Sequence, residues 1–371
     1  MTAHSPVNSF LPRKEFGELL SALRSGGYRC VAPKVCDGAI VYEELQLQDQ
    51  LPTGISIHQA AGSYRLEITD SPRNFDWANG PQALKPFVFK STESLWTVNR
   101  NADGTITFSE STTEPEPVAI IGVRSCDLAA LALQDKHFLN SDCVDPHYQA
   151  RRASLFLVAV NCTHPSDTCF CASTGDGPVA QGGFDLLLDE LDDGFVIRAG
   201  SKAAQKILQT LPVEAVTGEQ EEVITQQNQR AIKCQTRRLP SNNLEQVLFE
   251  NLDHPRWQAV AERCLSCGNC TSVCPTCFCY SEQDTGTLDL TRSEHVREWD
   301  SCFTQGHSYI HGLTIRADTR LRYRQWLTHK LGSWHSQYGR SGCVGCGRCI
   351  SWCPVGIDIT EEVAAIVSGE P

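Results

Sequence analysis

Cys264-Leu-Ser-Cys267-Gly-Asn-Cys270-Thr-Ser-Val-Cys274-Pro275 and Cys343-Val-Gly-Cys346-Gly-Arg-Cys349-Ile-Ser-Trp-Cys353-Pro354 are the stretches that decide the C-terminal fold. Each has the bacterial ferredoxin spacing of a [4Fe–4S] cluster, in which the fourth cysteine ligates the other cluster of the pair. Three close thiolates wrap one face of a cubane, and the proline turns the backbone so that the last cysteine points away. The crossed arrangement gives two ligand sets: Cys264, Cys267 and Cys270 with Cys353, and Cys343, Cys346 and Cys349 with Cys274. Structural zinc is the plain alternative, since zinc held by four cysteines is common. Zinc knuckles use two separated Cys-x-x-Cys pairs, however, and four cysteines in one short run overload a single tetrahedral ion. The reading is therefore two [4Fe–4S] clusters in a helical, ferredoxin-like dicluster domain over 241–371, with a long insertion between the cysteine runs.

The chain has 371 residues, a net charge of −12, 41% hydrophobic and 20% charged residues, and 19 cysteines. That length suits two or three domains, and the composition is that of an ordinary globular protein. The acidic balance argues against nucleic-acid binding. Cubane runs need free thiolates, so the cysteines point to a reducing compartment and not to a disulfide framework. Met1 to Phe16 lacks a charged segment followed by an apolar one, and no apolar run approaches bilayer length, so the expectation is a cytoplasmic chain without direct membrane insertion.

Residues 1–240 read as an α/β domain. Phe16, Leu19, Leu20 and Leu23 share one face of a helix over Glu15–Arg24 that Gly26-Gly27 stops. Strands are expected at Tyr28–Ala32, Ala39–Glu43, Ser63–Thr69, Leu95–Val98 and Phe195–Arg198, with a turn at Lys34–Gly38. Val118–Val123 and Leu155–Val160 are continuous apolar runs, as for strands buried on both faces, and Leu128–Phe138 reads as helix. The order predicts a mixed sheet in an α+β or α/β fold. Ala203–Arg238 reads as a polar helical connector, Pro240–Asn243 as a boundary and Leu244–Asn251 as a helix, and Trp257–Arg263 leads into the first cysteine run.

Cys126 and Cys162 each follow the C-terminal end of a buried strand, the edge where α/β sheets bind ligands, and Cys169 and Cys171 come soon after. These four are candidate ligands of a third iron–sulfur cluster; the competing reading is buried thiols acting as small hydrophobes. Thr168-Cys-Phe-Cys171 recurs as Thr276-Cys-Phe-Cys279. Cys277, Cys279 and Cys302 either join the cluster ligands or pack near them, and Cys30, Cys36, Cys143 and Cys234 are isolated. His307 and His311 have helical zinc-site spacing but no glutamate between them, which excludes HExxH chemistry and favours packing. Arg316, Arg320, Arg322 and Arg324 offset cluster charge, dock a partner or form a solvated face. No phosphate-binding glycine motif and no Ser/His/Asp set is present, so no catalytic centre is expected on this chain.

Taken together, Gly38–Leu45, Gly122–Leu131 with its Arg124-Ser-Cys-Asp127, Asn161-Cys162, Thr168–Cys171, Cys264–Cys279, Trp299-Asp-Ser-Cys-Phe303, Arg324–Lys330, Gly342–Cys349 and Pro354–Asp358 resemble the β subunit of soluble NAD(P)-linked [NiFe] hydrogenases, the sulfhydrogenases. The likeness runs over nearly the whole chain. The A subunit of anaerobic sulfite reductase is similar in layout and is the alternative within redox chemistry. A stand-alone sulfur or thiol reductase using the extra cysteines is a rival of another class, and a cluster-dependent regulator or scaffold a third. The resemblance implies an iron–sulfur electron-transfer subunit of a hetero-oligomer. It also implies a partner diaphorase subunit carrying FAD and taking electrons from NAD(P)H, with hydrogenase small and large subunits as further partners.

Overall fold

The computed structural model describes residues 8–46, 51–111, 115–140, 142–240 and 243–369. Fourteen strands set the frame: β1 (Ser9–Pro12), β2 (Arg29–Cys36), β3 (Ala39–Glu44), β4 (Ile55–Ala60), β5 (Ser63–Ile68), β6 (Thr92–Arg100), β7 (Ile106–Glu110), β8 (Val118–Val123), β9 (Leu155–Val160), β10 (Leu186–Glu190), β11 (Gly194–Ala199), β12 (Glu214–Ala215), β13 (Tyr280–Gly286) and β14 (Arg292–Trp299). Eight of them form the main sheet in the order β12-β1-β11-β10-β9-β8-β2-β3. Its centre, β10-β9-β8-β2, is parallel, and both flanks are antiparallel. The mixed sheet read from the sequence is what forms.

The apolar runs explain that centre. All six residues of β8 and five of the six in β9 are buried, as helices and loops covering both faces require. Phe16, Leu19 and Leu23 of the Phe16–Ser25 helix seal one face together with Phe75, Trp77 and Phe195. On the other face Leu128, Leu131 and Phe138 of the Ser125–Phe138 helix pack with Tyr148 and Phe89. Asp145 caps the Pro146–Ala153 helix by accepting from Tyr148 N at 2.8 Å, with Pro146 at its first position.

Several boundaries differ from the expectation. β2 runs on through Lys34 to Cys36, because Asp37-Gly38, both in the left-handed region, make a two-residue hairpin turn. The Ala203–Arg238 connector is two helices, Lys202–Leu208 and Gly218–Lys233, between which β12 adds a strand to the sheet edge beside β1. Ser241-Asn242, inside the expected boundary, and Met1–Val7 lie outside the described residues.

C-terminal to residue 243, the helices Leu244–Glu250, Arg256–Arg263, Thr319–Thr328 and Ile359–Ser368 close around Leu248, Trp257, Tyr323, Trp326, Leu331 and Val363. The insertion between the cysteine runs does not stay with them. Its β13 and β14 pair with β6 and β7 into a second sheet, order β13-β14-β6-β7. His307 sits in a 3₁₀ turn and His311 at the tip of a two-residue hairpin at φ 45°, so the two share no helix face. Among the described residues no helix is long and apolar enough to cross a membrane.

Candidate metal centres

Cys264, Cys267, Cys270 and Cys353 line one cavity, closed by Phe303, Tyr323, Trp326 and Ile359. Ser266 and Gly268 take positive φ in the first run, and Gly345 and Gly347 take the matching positions in the second. This turn lets the chain fold back on its own sulfurs. Ser266 N donates to Cys264 Sγ at 3.4 Å, Gly345 N to Cys343 Sγ at 3.4 Å, and Ile357 N to Cys353 Sγ at 3.3 Å. Backbone N–H groups aimed at thiolate sulfur are a protein's means of tuning a cluster.

Cys274, Cys343, Cys346 and Cys349 line a second cavity, and Trp326, Ile359 and Cys349 stand in the walls of both. Lys330, 4% exposed, enters the second cavity and donates to Thr276 Oγ1 at 2.8 Å. Burial alone would depress its pKa, but Cys274, Cys277 and Cys343 together hold the ammonium well above its ordinary value. Burial pushes the Cys343 thiol up to about 12 and the Cys346 thiol to about 11. Iron bound by these thiols would displace their protons, so loading would release protons.

Cys126, Cys162, Cys169 and Cys171 line a third cavity with Asn79, Arg124 and Ser125, and Cys346 forms part of its wall too. The N-terminal half and the second cysteine run build this site jointly. Arg348 pairs with Asp127 at 2.9 Å and donates to Gly80 O at 3.1 Å, with both side chains fully buried. Arg124 fixes the strand end by donating to Phe75 O and Trp77 O, each at 2.7 Å, and lies over the Trp77 ring. A Cβ on Gly345 would meet the Phe170–Cys171 backbone, and one on Gly347 would meet Thr168 O. These glycines therefore serve the left-handed turn and the close approach of the Thr168–Cys171 loop at once.

Each set of four thiols fits a cubane: four cysteines around one closed space, with cations or backbone donors beside the sulfurs. Among the described residues no group of three or more His, Cys, Asp or Glu side chains closes on a single metal ion. Cys277, Cys279 and Cys302 line none of these three cavities. Cys30 is buried in the main core, and Cys36, Cys143 and Cys234 are exposed.

Residues 263–357 match the family model of the 4Fe-4S dicluster domain. Sulfhydrogenase 2 subunit beta of Pyrococcus furiosus is 32% identical over 316 residues, covering 83% of this chain and 90% of that protein. The chain belongs to the sulfhydrogenase β-subunit family. No solved structure matches it.

Membership gives the family-like motifs their structural meaning. In this sulfhydrogenase β-subunit relative, Arg124-Ser-Cys-Asp127 supplies a thiol, the Asp127 partner of Arg348, and Ser125 Oγ, which donates to Asp176 O at 2.7 Å. Sequence reasoning missed Gln235, whose Nε2 donates to Cys171 Sγ at 3.5 Å while its Oε1 accepts from Ala172 N at 3.0 Å. It also missed the β4–β5 hairpin, where Gly62 N donates to Ile350 O at 3.0 Å and the Tyr64 ring packs tilted against Trp352, centroids 4.9 Å apart. Only spatial proximity identifies these. Among the four expected arginines, Arg322 is spent on Arg316 O, Ala317 O and Phe303 O, and Arg324 donates to Leu252 O.

Proposed function

We propose that this chain is the electron-relay subunit of a sulfhydrogenase-type complex. It holds three [4Fe–4S] clusters, on Cys264, Cys267, Cys270 and Cys353, on Cys343, Cys346, Cys349 and Cys274, and on Cys126, Cys162, Cys169 and Cys171. One observation carries the reading: the three thiol-lined cavities form a row with shared walls, Cys349 between the first and second and Cys346 between the second and third. When bound, the clusters supply one-electron redox chemistry. The protein's own residues make the row usable. Trp326, Tyr323 and Ile359 keep water out, while Lys330 and Arg348 offset thiolate charge and the Ser266, Gly345 and Ile357 N–H groups bond the sulfurs. Cys267 is the one exposed thiol among the twelve, so electrons cross the surface at the first run.

The partners fit that row: a flavin-bearing diaphorase subunit fed by NAD(P)H at one end and a [NiFe] hydrogenase module at the other, in a cytoplasmic hetero-oligomer. Residues 1–240 and 241–371 are the two units proposed to hold the third centre and the paired clusters. The test is anaerobic affinity purification of the tagged chain from its native host, with identification of co-eluting proteins and assay of NAD(P)H-linked hydrogen and sulfite turnover. Nickel-containing subunits with hydrogen turnover are expected. Siroheme with sulfite turnover would move the chain to a sulfite reductase, and elution without a partner would overturn the relay.

A further inference from the structure

Two thiols outside the three cavities are placed for chemistry of a different kind. At the base of the β13–β14 hairpin, Asp300 N donates to Cys279 O at 2.9 Å, one step beyond the Tyr280–Trp299 pair. That register sets Cys279 beside Asp300 and brings Cys302, two residues on, against it. Both side chains pack into the same apolar cluster of the C-terminal half, where each thiol perturbs the other. The 3₁₀ turn that follows presents His307, whose Nδ1 pairs with Asp300 Oδ2 at 2.8 Å and whose imidazole interacts with the Cys279 thiol. Cys279 is partly accessible and Cys302 buried, at 8% exposure. A partly accessible thiol beside an Asp–His pair, with a second, buried thiol close by, is the arrangement of an attacking and a resolving cysteine.

We propose that Cys279 and Cys302 form a redox-active dithiol that exchanges with small organic disulfides. The proposal goes beyond the cluster relay and does not need it. The Cys279 thiolate attacks one sulfur of R–S–S–R; the Cys279–S–S–R bond forms, the substrate S–S bond breaks, and the leaving RS⁻ takes the proton of the His307 imidazolium. Cys302 then attacks Cys279 Sγ, gives its proton to the vacated imidazole, and expels the second RS⁻, which receives that proton. One disulfide is reduced to two thiols, and the dithiol is oxidised by two electrons to a Cys279–Cys302 disulfide. The electrostatics agree: the Cys302 thiol and the His307 imidazole hold Cys279 well below the ordinary thiol range, and the same contact raises Cys302.

The test uses the full-length, metal-loaded chain under anaerobic conditions, exposed to cystamine, quenched by alkylation and mapped as peptides. A Cys279–Cys302 cross-linked peptide is expected, and C279S should abolish it. C302S should trap a half-cystamine adduct on Cys279, and H307Q should slow that adduct roughly tenfold and move the pH profile of Cys279 alkylation upward. Iron and acid-labile sulfide should be unchanged in C279S and C302S. Absence of both cross-link and adduct would overturn the proposal, as would loss of iron or zinc in C279S and C302S, which would make these residues metal ligands. A low iron content in the unmutated chain would instead count against the cluster relay and leave the cross-linking result to decide the dithiol.

Discussion

At the scale of single residues, the Arg348–Asp127 pair joins the second cysteine run to the end of a parallel strand without access to water. Removing one partner leaves an uncompensated buried charge, so R348M should cost about 3–5 kcal/mol, whereas R348M with D127L should cost less than the two single changes combined. Thermal unfolding of the loaded proteins measures both. His307 gives a pH test of opposite character. The Cys279 contact, then Asp300, raise its pKa to about 9 against the pull of burial. A raised imidazole pKa stabilises the fold fully below the unfolded value near 6.5, and that contribution fades as pH rises through about 9. With 24% of the side chain exposed, we expect H307Q to lose about 2 kcal/mol at pH 6 and little at pH 9.5, read from denaturant midpoints. The candidate ligands were legible as residues because cysteine spacing is a local property. Arg348 and Asp127 were not, since nothing in a sequence says that residues so far apart will meet.

At the scale of elements, the strands that alternate or run apolar were readable, and those that do neither were not. β8 and β9 announce themselves through continuous Val, Ile and Leu. β13, Tyr-Ser-Glu-Gln-Asp-Thr-Gly, is exposed along its whole length and has no hydrophobic period to detect. It forms because β14 pairs with it and with β6, and because Arg297 on β14 is clamped. Arg297 bonds Glu93 at 2.7 Å and also Asp145, while Arg151 shares the same Glu93 carboxylate at 3.1 Å. This network ties the insertion to β6 and to the cap of the Pro146–Ala153 helix. R297M should therefore loosen the hairpin before it loosens the main sheet. Limited proteolysis should cut within residues 280–299 at a dose that spares the unmutated chain, with a stability loss of about 3 kcal/mol.

At the scale of the whole molecule, residues on both sides of position 240 line one cavity. The third cavity takes Cys126, Cys162, Cys169 and Cys171 from the first half and borrows Cys346 from the second. That sharing yields a contrast. C267S, at the exposed end of the row, should lower iron by about one cluster, whereas C346S should lower it by more, disturbing both cavities it lines; iron and acid-labile sulfide per chain decide. The Gly345 and Gly347 turns have a further consequence. The Thr168–Cys171 loop seats directly on them, so the final shapes of the loop and of the second run depend on each other. For the proposed clusters this predicts that iron enters the two inner cavities together on reconstitution, and that the site of Cys267, open to the surroundings, loses iron first in air.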